Sequence, residues 1–350
     1  MLSLFVVESP FQMINAAEAR QHFSVPAEQA VLVIKHGVSE ENRRLTRLLC
    51  DESQWRSVLD IGDPKSITGY LRCEWAISSW LRRLGEKPSR VFIGDYRSRY
   101  MRHLANRFSE DVVLLDDGAA SLTVARKRCA GEPYARRYSG IKRWMNKSRL
   151  LGYRDGDIPS VTFFSAFSLE LPDADVLARN TYAVLGARLG TYAREDIWYF
   201  VGSPLVELGI VSRDWYLHAL EKISARYNGK VAYIPHRRES DDAVTRLCKA
   251  LGWEWRRFDR PIELELIDSA HLPVGIAGFY SSALPSIATV LGGEVVVQSY
   301  HIPGQSISSL EYRGNIQAVY RHYASESEGG VLSVLTLDGA KYDCSTEDEG

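Results

Sequence analysis

Three short stretches bring together side chains that could do chemistry. Asp116-Asp117-Gly118 sets two carboxylates on a tight turn. Adjacent like charges in a closed site raise one pKa, which suits a general base. The same residues also read as a plain strand-ending turn, because Asp-Gly is common there. Pro235-His236-Arg237-Arg238-Glu239 gathers cations around an imidazole. Such a cluster fits an anionic phosphate, with His236 as donor or acid and Glu239 to orient it. A solvated basic turn has the same composition. Ser281-Ser282 opens a helix with Pro285 in its first turn. Free N–H groups and the helix dipole bind phosphate there, and the hydroxyls add donors. Serine is also a routine helix cap.

All three stretches follow short apolar runs, and those runs alternate with helical spacing. Leu2–Val7 reads as a buried strand. Ser9-Pro10 then supplies an N-cap and a first-turn proline for a helix over 11–22. Strands are expected at 31–34, 90–93 and 112–115, with helices over 40–50 and 67–84. The pattern restarts with strands at 197–201, 231–234, 274–277 and 294–298 and helices over 245–251 and 282–291. Alternation of this kind predicts parallel sheets covered by helices. With 350 residues, about two domains are expected. The reading is α/β, two Rossmann-like domains facing a central cleft, divided as 1–185 and 186–350. Ligands of such sheets sit beyond the carboxyl ends of strands. That rule adds Ser9, Gln12, Asn15, Gly118 and Gly202 as ligand-binding candidates.

Other patterns carry less. Asp155-Gly156-Asp157 and Asp173-Ala174-Asp175 fit Asp-x-Asp, yet neither follows a convincing strand, and no metal is expected. There is no phosphate-binding G-x-x-x-x-G-K-[ST], no G-x-G-x-x-G and no H-E-x-x-H. His22, His103, His218 and His322 lie in helix-like or polar surroundings and read as structural. The five cysteines are scattered, which fits free thiols in a reducing cytoplasm rather than a zinc site or disulfides. The start MLSLFVVESP lacks a basic n-region, and no apolar run is long enough to span a membrane.

The order Asp-Asp-Gly, then His, then Ser-Ser resembles the bacterial sialyltransferase group with the two-domain GT-B fold. The closest look is to glycosyltransferase family 52 and its polysialyltransferase relatives. VVESPFQMINAAEA resembles that group's opening strand and helix. TFFSAF at 162–167, GSPLVELGI at 202–210 and Pro261-Ile262-Glu263 resemble internal landmarks. The match runs over most of residues 2–300. One departure is that the group's His-Pro is here His236-Arg237, which puts the identity of the donor in question more than the reaction.

The resemblance implies an inverting, metal-independent transfer of a nonulosonic, sialic-acid-like or related keto-sugar acid from its CMP donor. The acceptor would be a hydroxyl of a cell-surface glycan such as lipooligosaccharide or capsule. One carboxylate of Asp116-Asp117 would take the acceptor proton, Asp116 being slightly favoured. His236, Ser281 and Ser282 would stabilise the CMP phosphate, with Arg237 or Arg238 assisting. Glu263 would hold ribose hydroxyls. No cofactor is implied, since the CMP-sugar is itself a substrate. A hexosyltransferase using UDP- or GDP-sugars, and a non-catalytic glycan- or nucleotide-binding protein, are the alternatives.

Formal net charge is −1, which predicts no nucleic-acid partner. Residues 126–154 depart from that balance, with ten Lys/Arg against Glu132 alone. Within them Ile141, Trp144, Met145 and Leu151 fall at roughly helical spacing. A basic amphipathic stretch with Trp reads as a contact with an anionic membrane surface. A solvated insertion and an attractor for an anionic glycan are the other readings. The expected location is cytoplasmic, peripheral on the inner membrane.

Overall fold

The computed structural model describes residues 1–36, 39–134, 152–227, 230–326 and 332–343. The chain forms two compact units, Met1–Asn180 and Thr181–Gly350. The division falls slightly before the 185/186 boundary read from the sequence. Its cause is the short helix Ala183–Gly186, which packs on helices of the second unit.

The first unit holds a seven-stranded sheet. Its strands are β1 (Leu2–Val7), β2 (Ala30–Lys35), β3 (Ser57–Ile61), β4 (Pro88–Ile93), β5 (Asp111–Leu115), β6 (Thr162–Ser165) and β7 (Val176–Arg179). The order is β3-β2-β1-β4-β5-β6-β7, and every pair is parallel. The crossovers use α1 (Pro10–His22), α2 (Glu40–Leu48), α3 (Ile67–Leu84), α4 (Arg99–Phe108) and α5 (Ala119–Cys129). β1 is buried at all six positions, which is why it reads as an unbroken apolar run. Its side chains alternate between two cores. Leu4 and Val6 pack with Ile77 and Leu104, while Phe5 and Val7 pack with Met13 and Phe92. Strands β3, β6 and β7 carry no clear apolar signal. β3 is mostly half-exposed, and β6 and β7 have four residues each, too few to show a period. Residues 155–185, for which the sequence pattern gives no strand, thus supply two strands of the first sheet.

The second unit starts with the helix α6 (Ala183–Gly186). It continues β8 (Ala193–Val201), α7 (Arg213–Ser224), β9 (Lys230–Ile234), α8 (Asp241–Leu251), β10 (Glu254–Trp255), α9 (Ile262–Ile267) and β11 (His271–Gly278). It ends with α10 (Ala283–Leu291), β12 (Val296–Tyr300), α11 (Leu310–Glu326) and β13 (Leu332–Leu335). Its six strands are parallel in the order β10-β9-β8-β11-β12-β13. Each unit is therefore a Rossmann-like α/β sheet. In each, the strand order reverses once, between β1 and β4 and between β8 and β11. Loops leaving such a pair diverge to opposite faces and open a crevice at the carboxyl edge.

Candidate active site

In the first unit the carboxyl edge collects the ends of β1, β4, β5 and β6. Asp116 is 1% exposed. Its Oδ1 accepts from Gly118 N and Ser121 Oγ, both at 2.9 Å. Its Oδ2 accepts from Ser165 Oγ at 3.0 Å and Ala166 N at 3.1 Å. A carboxylate has about four acceptor sites, and these four donors use them. Asp116 therefore ties β5 to β6 and to the start of α5. Burial still pushes its pKa up, against the pull of those donors. The preference for Asp116 as the base meets a carboxylate with no acceptor site to spare.

Asp117 is differently placed. Its Oδ1 accepts from Gln12 Nε2 at 3.1 Å and its Oδ2 from Arg97 Nη2 at 2.8 Å. Each oxygen keeps a second acceptor site. Burial, then the neighbouring Asp95 charge, pushes its pKa up to about 7 against the opposing pull of Arg97. The adjacent Asp116 contributes less than either, so like-charge crowding within the dipeptide is not the main cause.

Arg97 and Asp95 come from the turn after β4, Gly94-Asp95-Tyr96-Arg97, which sequence reasoning passed over. Asp95 Oδ1 accepts from Arg97 N at 2.8 Å and from Arg97 Nε at 2.9 Å. The signal was available, since this turn ends the strand on the far side of the crevice from β1. Gly94 is required there, because a Cβ would lie 2.2 Å from Gln12 Oε1.

The residues after β1 divide by role. Ser9 caps α1, its Oγ accepting from Gln12 N at 3.2 Å. Gln12 is 2% exposed, accepts from Glu8 N at 2.9 Å and hands its amide to Asp117. Asn15 is fully buried, donates to Asp116 O at 3.0 Å and accepts from Asn180 Nδ2 at 2.8 Å. It fastens α1 to the ends of β5 and β7. Gly118 has φ +65° and ψ −134°, a region that only glycine enters readily. Of the four, Gln12 supplies a side-chain hydrogen bond to the Asp117 carboxylate.

In the second unit His236 follows β9. Its Nδ1 accepts from Arg238 N at 3.2 Å, which leaves the ring proton on Nε2. Burial, then Arg237, Arg238 and Arg257, holds its pKa down at about 4. The imidazole is neutral at physiological pH and is a donor, not a cation. Beneath it, Glu239 Oε2 accepts from His236 N at 2.7 Å and Glu239 Oε1 from Tyr233 Oη at 2.6 Å. Burial pushes Glu239 up to about 7. Gly202, at the end of β8, faces this carboxyl. A Cβ there would lie 2.4 Å from Glu239 Oε2 and 2.5 Å from Tyr233 Oη. The glycine makes room for a protein carboxyl. Arg237 and Arg238 are exposed.

Ser281 and Ser282 follow β11 on the other side of the β8/β11 crevice. Ser281 Oγ accepts from Ala283 N at 3.3 Å. Ser282 is the N-cap residue of α10, and its hydroxyl makes no capping bond. His236, Gly202 and the two serines thus lie at the ends of three adjacent strands, β9, β8 and β11. Glu263 does not join them. It is 5% exposed, with its pKa raised by burial, and its Oε1 accepts from Ser286 Oγ at 2.5 Å. That bond joins α9 to α10.

Three of the four Asp-x-Asp carboxylates are engaged elsewhere. Asp155 pairs with Arg99 at 2.6 Å, Asp157 accepts from Tyr134 N at 3.1 Å, and Asp175 pairs with Arg128 at 2.6 Å. Arg128 also donates to Tyr96 Oη at 2.7 Å, so one cation of the basic stretch is structural. Residues 135–151 of that stretch lie outside the described residues. Among the described residues no group of three His, Cys, Asp or Glu could hold a metal, and no helix is long and apolar enough to cross a membrane. A groove of about 1210 Å³, lined by Glu195, Lys230, Trp253 and Arg256, opens at the amino edge of the second sheet, away from these residues.

No family model matches this sequence, and no curated protein matches it in a sequence search. Solved structures do match. The spinosyn forosaminyltransferase SpnP is 12% identical with a TM-score of 0.50, covering 97% of this chain and 87% of that one. A UDP-glucosyltransferase from Polygonum tinctorium is 10% identical with a TM-score of 0.49, covering 97% and 86%. MurG from Acinetobacter baumannii is 10% identical with a TM-score of 0.46, covering 96% and 86%. The likeness to SpnP is one of fold, and that fold is the GT-B arrangement of two Rossmann-like domains.

Proposed function

We propose that this chain is an inverting glycosyltransferase that moves a keto-sugar acid of the sialic-acid type from a CMP donor to a glycan hydroxyl. The observation that carries the proposal is Asp117. It is a carboxylate poised near neutrality at the carboxyl end of β5, in a chain whose second Rossmann-like unit keeps a neutral His236 at the same edge of its own sheet. A general base works best when its pKa lies near the operating pH.

In this reading the acceptor hydroxyl oxygen attacks the anomeric carbon, and its proton passes to a free acceptor site on Asp117. The bond from that carbon to the phosphate oxygen breaks, and its electron pair stays on CMP. A single displacement inverts the anomeric centre. Asp116, with its acceptor sites filled, holds the turn in place and is not the base. The charge that grows on the phosphate is met by His236 Nε2–H, the hydroxyls of Ser281 and Ser282, and the N–H groups opening α10. Arg237 and Arg238 add long-range attraction. These groups act without a metal, so chelator is expected to leave the rate unchanged.

The choice of CMP over UDP or GDP rests on the order of the Asp-Asp-Gly, His and Ser-Ser motifs. A thermal-shift panel tests it. Stabilisation by CMP and not by UDP or GDP supports the donor, and UDP or GDP stabilisation alone assigns a hexosyl donor instead. Release of CMP from CMP-sialic, legionaminic or pseudaminic acid or CMP-Kdo identifies the sugar. Binding without any turnover across sugars and acceptors would make the chain a binding protein.

A further inference from the structure

The first unit carries an apolar stripe that its own fold leaves in solvent. α3 buries one side in the core, through residues such as Ile77 and Trp80. Its other side holds Ile67, 44% exposed, Leu71, 50% exposed, and Trp75, 71% exposed. Spacing of four residues lines these three along one face of the helix. An exposed Trp, Leu and Ile in one line is a contiguous feature, unlike apolar residues scattered singly over a surface.

The charge left unpaired on this helix is cationic. Arg72, Arg82 and Arg83 are exposed on the same helix. The helix contains a single carboxylate, Glu74, and the neighbouring α4 takes it up through Arg107 and through Tyr100 Oη at 2.9 Å. Just outside the helix, Asp63 faces Lys65 at 3.5 Å and Glu86 pairs with Arg56 at 2.7 Å. The outer side of α3 is therefore apolar and cationic, with no unpaired carboxylate of its own. Exposed arginines flanking a Trp-bearing apolar face complement anionic headgroups in charge.

Position adds a second argument. α3 leaves the carboxyl end of β3 and returns towards the amino end of β4. Ile67, Leu71 and Trp75 occupy its first half, so they lie towards the sheet edge that holds Asp117.

We propose that the outer face of α3 docks on an anionic lipid surface, with Trp75, Leu71 and Ile67 entering the headgroup–acyl boundary and the arginines meeting lipid phosphates. This deepens the proposed function by making the acceptor a lipid-linked glycan, and it rests on that reading for the acceptor alone. The docking itself stands on α3.

The test is flotation of the full chain with phosphatidylcholine vesicles, with and without phosphatidylglycerol. The chain is expected to float with the anionic vesicles and to release in high salt. A Leu71→Ser/Trp75→Ser double variant should cut the vesicle-bound fraction by about tenfold, and Arg72→Gln/Arg82→Gln/Arg83→Gln should do so at low salt. Both variants should keep the wild-type melting temperature and nucleotide response. Failure of the wild type to float overturns the proposal. So does undiminished flotation of the variants, which would put lipid contact elsewhere. A vesicle-independent oligomer lost on Trp75→Ser overturns it in favour of a protein interface. Nucleotide binding is measured on the same samples, so loss of the donor reading shows separately from loss of docking.

Discussion

The Arg97 guanidinium donates to Asp117 Oδ2 at 2.8 Å while its Nε stays on Asp95 Oδ1 at 2.9 Å, so one half-exposed cation balances two carboxylates across the β4 and β5 ends. Asp95 pushes Asp117 up and Arg97 pulls it down. Removing either should move activity along the pH axis in opposite directions. The acid limb of the wild-type rate profile is expected near pH 7. Arg97→Gln should move it up by about one pH unit and Asp95→Asn should move it down. Profiles that lower the rate without moving the limb would remove this pair from control of the base. Asp117→Asn should lower turnover by roughly 10²–10⁴-fold while nucleotide binding persists.

The two neighbouring aspartates should separate in stability as well. Asp117 folds with a pKa of about 7, well above its unfolded value. Between the two values the folded chain binds a proton that the unfolded chain lacks, so this group makes stability fall as pH rises from about 4 to about 7. Asp117→Asn lacks that fall. It should gain on the wild type across that window, by roughly 4 kcal/mol in all, and level off above it. Asp116→Ala should instead lose roughly 3 kcal/mol or more, because four donors are left without their acceptor. Urea melts at pH 5 and pH 8 check both. A gap for Asp117→Asn that is equal at the two pH values contradicts the linkage.

His236 should act as a neutral donor. With its pKa held down at about 4, it carries no charge at pH 6 or pH 8. His236→Ala should weaken CMP binding about tenfold, by the same factor at both pH values. Calorimetric titration measures it. A loss confined to pH 6 would mean that the imidazolium does the binding.

Gly202 should matter through Glu239. Gly202→Ala drives a methyl against Glu239 Oε2 and Tyr233 Oη, the groups that hold the His236 turn. A cost of roughly 1–3 kcal/mol is expected, with weaker CMP binding alongside. Thermal melts and the same titration test it, and a variant that matches the wild type in both would place the carboxyl elsewhere.

Much of the architecture was legible in the chain because it is written in unbroken apolar runs. β1, β5 and β9 are each buried at four or more positions in a row. β6 and β7 were not legible. Four residues show no periodicity, and their place in the first sheet depends on pairing with β5 across the long connection from α5. The motif residues were found by one rule, that polar groups after parallel strands face the ligand. The same rule applied after β4 would have found Asp95 and Arg97.

By itself, then, the sequence determined that two parallel α/β units exist and that Asp116-Asp117, His236 and Ser281-Ser282 end their strands. Local pattern and strand-end chemistry suffice for that. Only the tertiary structure distinguishes the surroundings of Asp116 from those of Asp117. The difference lies in Ser165 and Ala166 from β6 on one carboxylate, and Gln12 and Arg97 from α1 and the β4 turn on the other. Only the tertiary structure likewise made His236 a neutral donor and set Gly202 against Glu239. A side chain's protonation and free valences depend on burial and on partners far along the chain, and spacing within one motif holds neither.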